Sequence, residues 1–193
     1  VEEFKPSGSV EGPLVPGALR GGTHAHSWSA DGEWISFTYN DRIMEKLEQL
    51  GRGRRDLRTV GVMAPGKHVT VPAESAEDFS GTYCSVVAAA VTELPRPGSD
   101  EVERALDECW VGTNGYVKKD GTRQNKAIAF QGVVKSKDGT PLTEIFISDI
   151  PDDITKPVPG QPLEGTAETR PSVPEDAQWA IFLRNHDELT LDQ

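Results

Sequence analysis

The sequence predicts a mainly β fold built from antiparallel hairpins, with two short inserted helices. Three observations lead to this prediction. Hydrophobic residues make up only 36% of the chain, whereas 19 glycines and 14 prolines supply many turn positions. Asp-Gly dipeptides, which favour tight turns with positive φ, lie between runs rich in aromatic and β-branched residues. Helical periodicity is confined to two short stretches.

The first predicted unit covers residues 21–73. In THAHSWSADGEWISFTYND, two strand-like runs flank the Asp-Gly turn at Asp31 and predict a hairpin. Residues 41–51 (DRIMEKLEQLG) place their apolar side chains on one helical face and therefore predict a short helix. The stretch LRTVGVMAPGKHVTVPA then predicts a strand pair that turns at Pro65.

The second predicted unit covers residues 80–150. TYCSVVAAAVTEL is a long apolar run suited to a buried strand. SDEVERALDECW predicts a helix, with Asp100 and Glu103 placed as a capping box. Asp120 and Asp138 each begin an Asp-Gly turn, and the second of these turns joins AIAFQGVVKS and LTEIFISDI into a hairpin.

The remaining segments lack this pattern. Residues 1–20 are rich in Pro, Gly and Ser and predict a linker or an extended N-terminal segment. Residues 151–174 predict a Pro-rich connecting segment, and residues 175–193 form a tail of different character. Two successive groups of about four strands are typical of β-propeller blades, although a β-sandwich uses the same hairpins. The phrase W-S-x-D-G-x-W-I-x-F favours the propeller.

SWSADGEWISFT resembles the repeat of TolB-like propellers, in which a Ser-x-Asp-Gly turn joins two strands of each blade. Five motifs in order resemble a bacterial family of unknown function related to these propellers, some of whose members carry the label biopolymer transporter Tol. The motifs are RGGTHAHSWSADGEWISFTYND, RDLRTVGVMAP, ELPRPGSDEVERAL, ECWVG and PLEGTAETRPSVP. The similarity spans about residues 17–174 and implies an architecture rather than an activity, because fold alone does not determine function.

The resemblance also implies that the propeller is incomplete. A TolB-like propeller has about six blades of ~40–45 residues each, and 193 residues leave room for two to three. We therefore expect a fragment of a TolB-like propeller protein. Such a fragment exposes strand edges, which favours self-association through those edges unless neighbours cover them.

The tail WAIFLRNHDELTLDQ resembles trehalose synthases and related α-amylase-family glycoside hydrolases around their F-x-x-N-H-D segment. The resemblance implies that His186 contacts the sugar and that Asp187 is the carboxylate supporting an oxocarbenium-like transition state. Retaining enzymes also need a nucleophile and an acid, and the family's Gly-x-Arg-x-Asp strand end does not occur in this sequence. We expect the tail to be inactive alone.

His24 and His26 are the candidate ligand-binding residues of the propeller-like part. Alternate residues of a strand share a face, so an H-x-H pair places both imidazoles together, where a central channel could lie. Two histidines make only half of a metal site, and spacing identifies no third ligand. The alternative is that both are hydrogen-bonded structural histidines, and we predict no metal site.

The net charge and the distribution of apolar residues disfavour some classes of function. The net charge is −11 and the sequence pI is about 4.8, which disfavours nucleic acid as a partner. No apolar run is long enough for a membrane span, and the two cysteines do not distinguish a periplasmic from a cytoplasmic location. We predict a non-enzymatic binding or scaffolding module without a cofactor, acting on an unknown protein or small-molecule ligand. The alternative is a glycoside-active enzyme fragment of the trehalose synthase type.

Overall fold

The computed structural model describes residues 15–51, 55–72 and 78–154. Strands dominate this part of the chain, which confirms the predicted fold class. The elements are β1 (Thr23–Trp28), β2 (Ile35–Tyr39), α1 (Arg42–Gln49), β3 (Thr59–Val69), β4 (Gly81–Val87), β5 (Arg104–Trp110), β6 (Tyr116–Val117), β7 (Arg123–Gln124), β8 (Lys126–Lys135) and β9 (Pro141–Ile150). They form a first sheet of order β1-β2-β3-β4, a second sheet of order β5-β8-β9, and a β6-β7 hairpin. All strand pairs in them are antiparallel.

The three Asp-Gly turns predicted from the sequence join β1 to β2, β6 to β7, and β8 to β9. The glycine of each turn has positive φ, between 72° and 84° at Gly32, Gly121 and Gly139. Because a residue with a Cβ rarely adopts this conformation, glycine at these positions fixes where each hairpin turns.

Helix α1 confirms the helix predicted over residues 41–51. Asp41 caps its start by accepting hydrogen bonds from the main-chain N–H groups of Ile43 and Met44. Gly51 follows its end with a φ of 63°, and Leu47 is its buried apolar residue. The helix crosses between β2 and β3 and does not interrupt the order of the first sheet.

The second predicted helix, SDEVERALDECW, is wrong because Arg104–Trp110 of this stretch form β5 and the residues before them are not helical. The pairing of β5 with β8 shifts between Leu106 and Cys109, so Asp107 and Glu108 form a β-bulge. The buried residues of this stretch are Val102, Ala105, Glu108 and Cys109, and the bulge makes the last two adjacent. Their spacings of three, three and one residues imitate a helical period, which explains why the sequence predicts a helix here.

The strand pair predicted around Pro65 is also wrong, because residues 59–69 form one strand, β3. Its pairing with β4 continues to Pro65 and resumes at Val69 after an irregularity. Gly66 takes a φ of 104° within it, so the Pro-Gly dipeptide bends the strand instead of reversing it. Strand β4 lies within residues 80–150, the predicted second unit, yet pairs with β3 of the first sheet.

The main core lies between the two sheets. Each sheet keeps its strands in chain order, and none of the described strands crosses to the other sheet, unlike the Greek-key connections of most β-sandwiches. The two sheets are not closed on themselves, which is consistent with neighbouring blades of an incomplete β-propeller. The buried core residues are Trp34, Val60, Val62, Ala64, Ala88, Ala89, Val102, Ala105, Ile128, Phe130, Val134, Phe146, Ile150 and Ile154.

Parts of the predicted linkers also belong to this packed unit. Gly17 lies beside β4, where its carbonyl accepts a hydrogen bond from the Ser85 N–H at 2.9 Å. Ile154 is 1% exposed in the core. The rest of the 151–174 segment, the 175–193 tail with His186 and Asp187, and residues 1–14 lie outside the described residues.

Candidate functional site

A cleft of about 680 Å³ lies where the β1-β2 turn meets the β6-β7 hairpin and the start of β8. Its volume is in the range of roughly 300–1,000 Å³ that is usual for small-molecule sites. Both sheets contribute to it. The charged and amide side chains that line it are Asp31, Asn114, Arg123, Asn125, Lys126 and Asp152.

Asp31 occupies one wall through its role in the β1-β2 turn. Its Oδ1 accepts hydrogen bonds from the Ser29 hydroxyl and from the Glu33 N–H, the latter at 3.1 Å. These two bonds hold the pKa of the Asp31 carboxyl below its ordinary value, with a further contribution from Lys126. The sequence predicts only a turn at Asp31, whereas the structure also places this residue in the wall of the cleft.

Lys126 connects the two sheets across the cleft. Its Nζ lies 3.3 Å from Oδ2 of Asp31 and 5.2 Å from the centroid of the Trp34 ring. An ammonium group over an indole face is attracted by the ring quadrupole, so Lys126 has an anionic and an aromatic partner in the first sheet. Since Lys126 begins β8, this contact also fixes the second sheet against the β1-β2 turn.

The opposite wall is the loop of residues 112–115 and the β6-β7 hairpin. Gly112 and Gly115 have φ values of 60° and 65°, which turn the chain tightly after β5. The guanidinium of Arg123 donates to the Asn114 carbonyl at 2.8 Å. This bond holds a second cation at the rim of the cleft.

The cleft thus presents both signs of charge on one concave surface. Asp31 and Asp152 are its anions and Lys126 and Arg123 its cations, with the Trp110 indole beside them. Neither histidine nor cysteine is among the described residues that line it. The arrangement suits binding of a small polar ligand that carries an anionic and a cationic group.

His24 and His26 lie in β1 and not in the cleft. Both are exposed, and His26 Nε2 is 2.8 Å from the Thr23 hydroxyl. Ala25, with a φ of 55°, and His26 form a β-bulge opposite Phe37, which breaks the alternation on which a shared histidine face depends. No group of three or more His, Cys, Asp or Glu in the described ranges is arranged to hold a metal ion.

The sequence pattern does not identify Lys126, Arg123 or Trp110 as site residues. Lys126 and Asp31 are far apart in the chain and meet only because the sheets pack face to face. One signal was available, since the stretch VGTNG between Trp110 and Tyr116 has two glycines that favour a tight loop. A glycine-rich loop often forms one wall of a binding site, but its sequence does not show which residues form the opposite wall.

Comparison with known proteins first gives a family of unknown function and an uncharacterized relative. DUF3748, a family of proteins of unknown function, matches residues 7–79. The chain is similar to the uncharacterized protein YidR of Escherichia coli (strain K12), with 40% identity over 167 residues. This match covers 86% of the chain and 36% of YidR, so the chain spans about a third of the length of that relative.

Two trehalose synthases match a short stretch of the chain. The enzyme of Pimelobacter sp. (strain R48) is 58% identical over 31 residues, which is 16% of the chain and 5% of the enzyme. The enzyme of Thermus thermophilus is 56% identical over 32 residues, which is 17% of the chain and 3% of the enzyme. No solved structure matches the chain. The helix in the described residues is too short to span a membrane.

Proposed function

We propose that this chain is a non-enzymatic binding module, a fragment of a TolB-like propeller protein, that binds its ligand in the cleft between the two sheets. The observation that carries the proposal is the pairing of opposite charges around one cavity of about 680 Å³. A ligand with one carboxylate and one ammonium group meets a complementary partner on each wall. An amino acid or short peptide has this chemistry.

The propeller part of the proposal rests on the order of the motifs and on the sheets. Each sheet is an antiparallel meander, and the second packs on the face of the first. A longer relative, of which this chain covers 36%, leaves length for further blades. Clefts between neighbouring sheets are common ligand sites because two rigid walls position the side chains.

Ligand binding is tested by calorimetric titration with a panel of zwitterionic amino acids and dipeptides. We expect at least one member to bind, and Lys126→Met and Arg123→Met to weaken its affinity about tenfold or more, since each removes a charge partner worth about 1.4 kcal/mol or more. Lys119→Met is the matched control, because Lys119 is exposed and does not line the cleft. Failure of every ligand to bind, or equal loss in all three variants, would contradict the proposal.

A second candidate function, glycoside chemistry, is favoured only by the short trehalose synthase matches. It is tested by incubating the chain with maltose and measuring trehalose and glucose. We expect no product, because the retaining mechanism requires a nucleophile and an acid in addition to a stabilising carboxylate such as Asp187. Turnover that disappears in Asp187→Asn would establish glycoside chemistry and overturn the proposal of a non-enzymatic binding module.

A further inference from the structure

The two carboxylates of the cleft differ in how far protein groups already bind them. Asp31 accepts hydrogen bonds at Oδ1 from Ser29 and Glu33, and its Oδ2 lies 3.3 Å from the Lys126 ammonium. Within the described part of the chain, Asp152 accepts one side-chain bond, from the Asn125 amide at a long 3.5 Å. A ligand ammonium would compete with protein donors at Asp31, whereas the exposed Asp152 is accessible to it.

Arg123 is held in place and keeps donors for a ligand. Its Nη2 donates to the Asn114 carbonyl at 2.8 Å. Asn114 belongs to the loop of residues 112–115, which lies directly on β7, since a Cβ on Gly115 would collide with the Gln124 carbonyl. A guanidinium carries several N–H donors in a planar fork that matches a carboxylate. The contact with Asn114 uses one nitrogen and positions the others.

The cation and the accessible anion belong to neighbouring positions of the cleft. Arg123 ends two residues before Lys126 in the chain, and the residue after Gln124 is Asn125, whose amide contacts Asp152. Both side chains line the cleft. This arrangement suits a ligand whose ammonium and carboxylate are close together, as they are on the α-carbon of an amino acid.

Trp110 supplies an aromatic surface beside these charges. Its indole N–H donates to the Ser27 carbonyl at 3.0 Å, and its partly buried ring packs against the main core and lines the cleft. Because both contacts fix the ring, a ligand does not have to order it on binding. Trp34 is not available in this way, since it is 6% exposed and Lys126 lies over its ring. Ring pairs attract beyond the area they bury, so Trp110 favours an aromatic ligand group over an aliphatic one.

We propose that the ligand of the cleft is an α-amino acid with an aromatic side chain. Its ammonium binds Asp152, its carboxylate binds Arg123, and its ring packs on Trp110. Asp31 keeps its protein partners. This assignment rests on the proposed function, because it specifies the ligand of the same cleft.

The test is calorimetric titration of the full chain with phenylalanine, alanine and 3-phenylpropionate, which is phenylalanine without its amino group. We expect phenylalanine to bind about tenfold more tightly than alanine because of the ring contact. Asp152→Asn should weaken the binding of phenylalanine about tenfold and leave that of 3-phenylpropionate unchanged, since only phenylalanine carries an ammonium.

The aromatic contact is tested in two ways. Trp110→Leu keeps an apolar side chain and should reduce the affinity for phenylalanine to about that for alanine, with circular dichroism verifying that the variant folds. On the unchanged chain, phenylalanine should bind more tightly than cyclohexylalanine, which has a ring of similar size without aromatic character. The second comparison needs no variant.

Asp138→Asn is the matched control for the charge. It removes the same charge from an exposed aspartate at the opposite end of the β8-β9 hairpin, so it should leave every affinity unchanged. Equal affinities for phenylalanine and alanine, or equal weakening of phenylalanine and 3-phenylpropionate by Asp152→Asn, would overturn this assignment while the cleft remained a binding site. Failure of every amino acid to bind would overturn it together with the proposed function.

Discussion

Strands β1 and β5 have the same local structure and opposite surroundings. Both carry a bulge with a positive-φ residue, and both place a tryptophan after it. In β5 the bulge directs Glu108 onto Thr38, and its tryptophan bonds the first sheet, whereas Trp28 in β1 is 58% exposed. Local sequence thus determines the shape of the first strand, and the neighbouring sheet determines what that shape contacts.

The comparison predicts a large difference between two identical substitutions. Trp110→Ala removes ring packing against the core and leaves the Ser27 carbonyl without its indole donor, so we expect the free energy of unfolding to fall by about 3 kcal/mol. Trp28→Ala, at the equivalent exposed position, should change it by less than about 0.5 kcal/mol in dilute solution. Urea unfolding of both variants measures the difference, and equal losses would contradict the distinct surroundings.

Two glycines give the next effect, because each allows a phenylalanine ring to lie against a strand. A Cβ on Gly61 would lie 2.7 Å from the Phe37 ring, and one on Gly132 would lie 2.6 Å from the Phe146 ring. Alanine at either position should cost about 1–3 kcal/mol through overpacking. Gly81→Ala in β4 meets no atom within 4 Å and serves as the control. Chemical unfolding that ranks Gly81→Ala with the other two would argue against this packing.

The bulges predict a smaller effect of opposite sign. Ala25 has a φ of 55°, a conformation that costs an alanine roughly 1 kcal/mol and costs glycine almost nothing. Ala25→Gly should therefore stabilise the fold by a few tenths of a kcal/mol, after the greater entropy of an unfolded glycine is subtracted. Asp107→Gly should gain less, since aspartate tolerates this region better. Thermal unfolding checks both, and destabilisation by Ala25→Gly would contradict the bulge.

The smallest expected effect is on the stability of the fold at acidic pH. Hydrogen bonds from Ser136 and Thr140 lower the pKa of Asp138 from 3.8 to about 2, and similar bonds lower the pKa of Asp31. Because the folded-state pKa is depressed, the stabilisation is present above pH 3.8 and is lost as pH falls towards about 2. Asp138→Asn should flatten the fall in melting temperature across this window and change little at neutral pH. An unchanged slope would show that Asp138 has no such role.

Much of the fold follows from local signals. The turns at Asp31, Asp120 and Asp138 and the cap of α1 at Asp41 depend on residues close together in the chain, so the sequence predicts them. Strand β5 does not follow, because its bulge adds one residue and converts a strand period into a helical one. The prediction of a chain reversal at Pro65 was wrong for a similar reason, because β3 stays continuous through its pairing with β4, which lies elsewhere in the chain.

The candidate site was less predictable than the fold. His24 and His26 form a conspicuous motif, but the bulge at Ala25 prevents them from acting as an alternating pair. The cleft depends on Lys126 reaching Asp31 and Trp34 of the other sheet, and this contact requires the packing of two separate hairpins. A short sequence motif cannot predict such a contact, because its residues are far apart in the chain.

A double-mutant cycle on Thr38 and Glu108 tests the central claim most directly, which is that the bulge of β5 anchors the second sheet on the first. Thr38→Val, Glu108→Gln and the double variant are unfolded in urea. We expect the two substitutions to be coupled by about 1 kcal/mol, because the Thr38 hydroxyl donates to the buried Glu108 carboxylate. Additive losses of stability would contradict this anchoring.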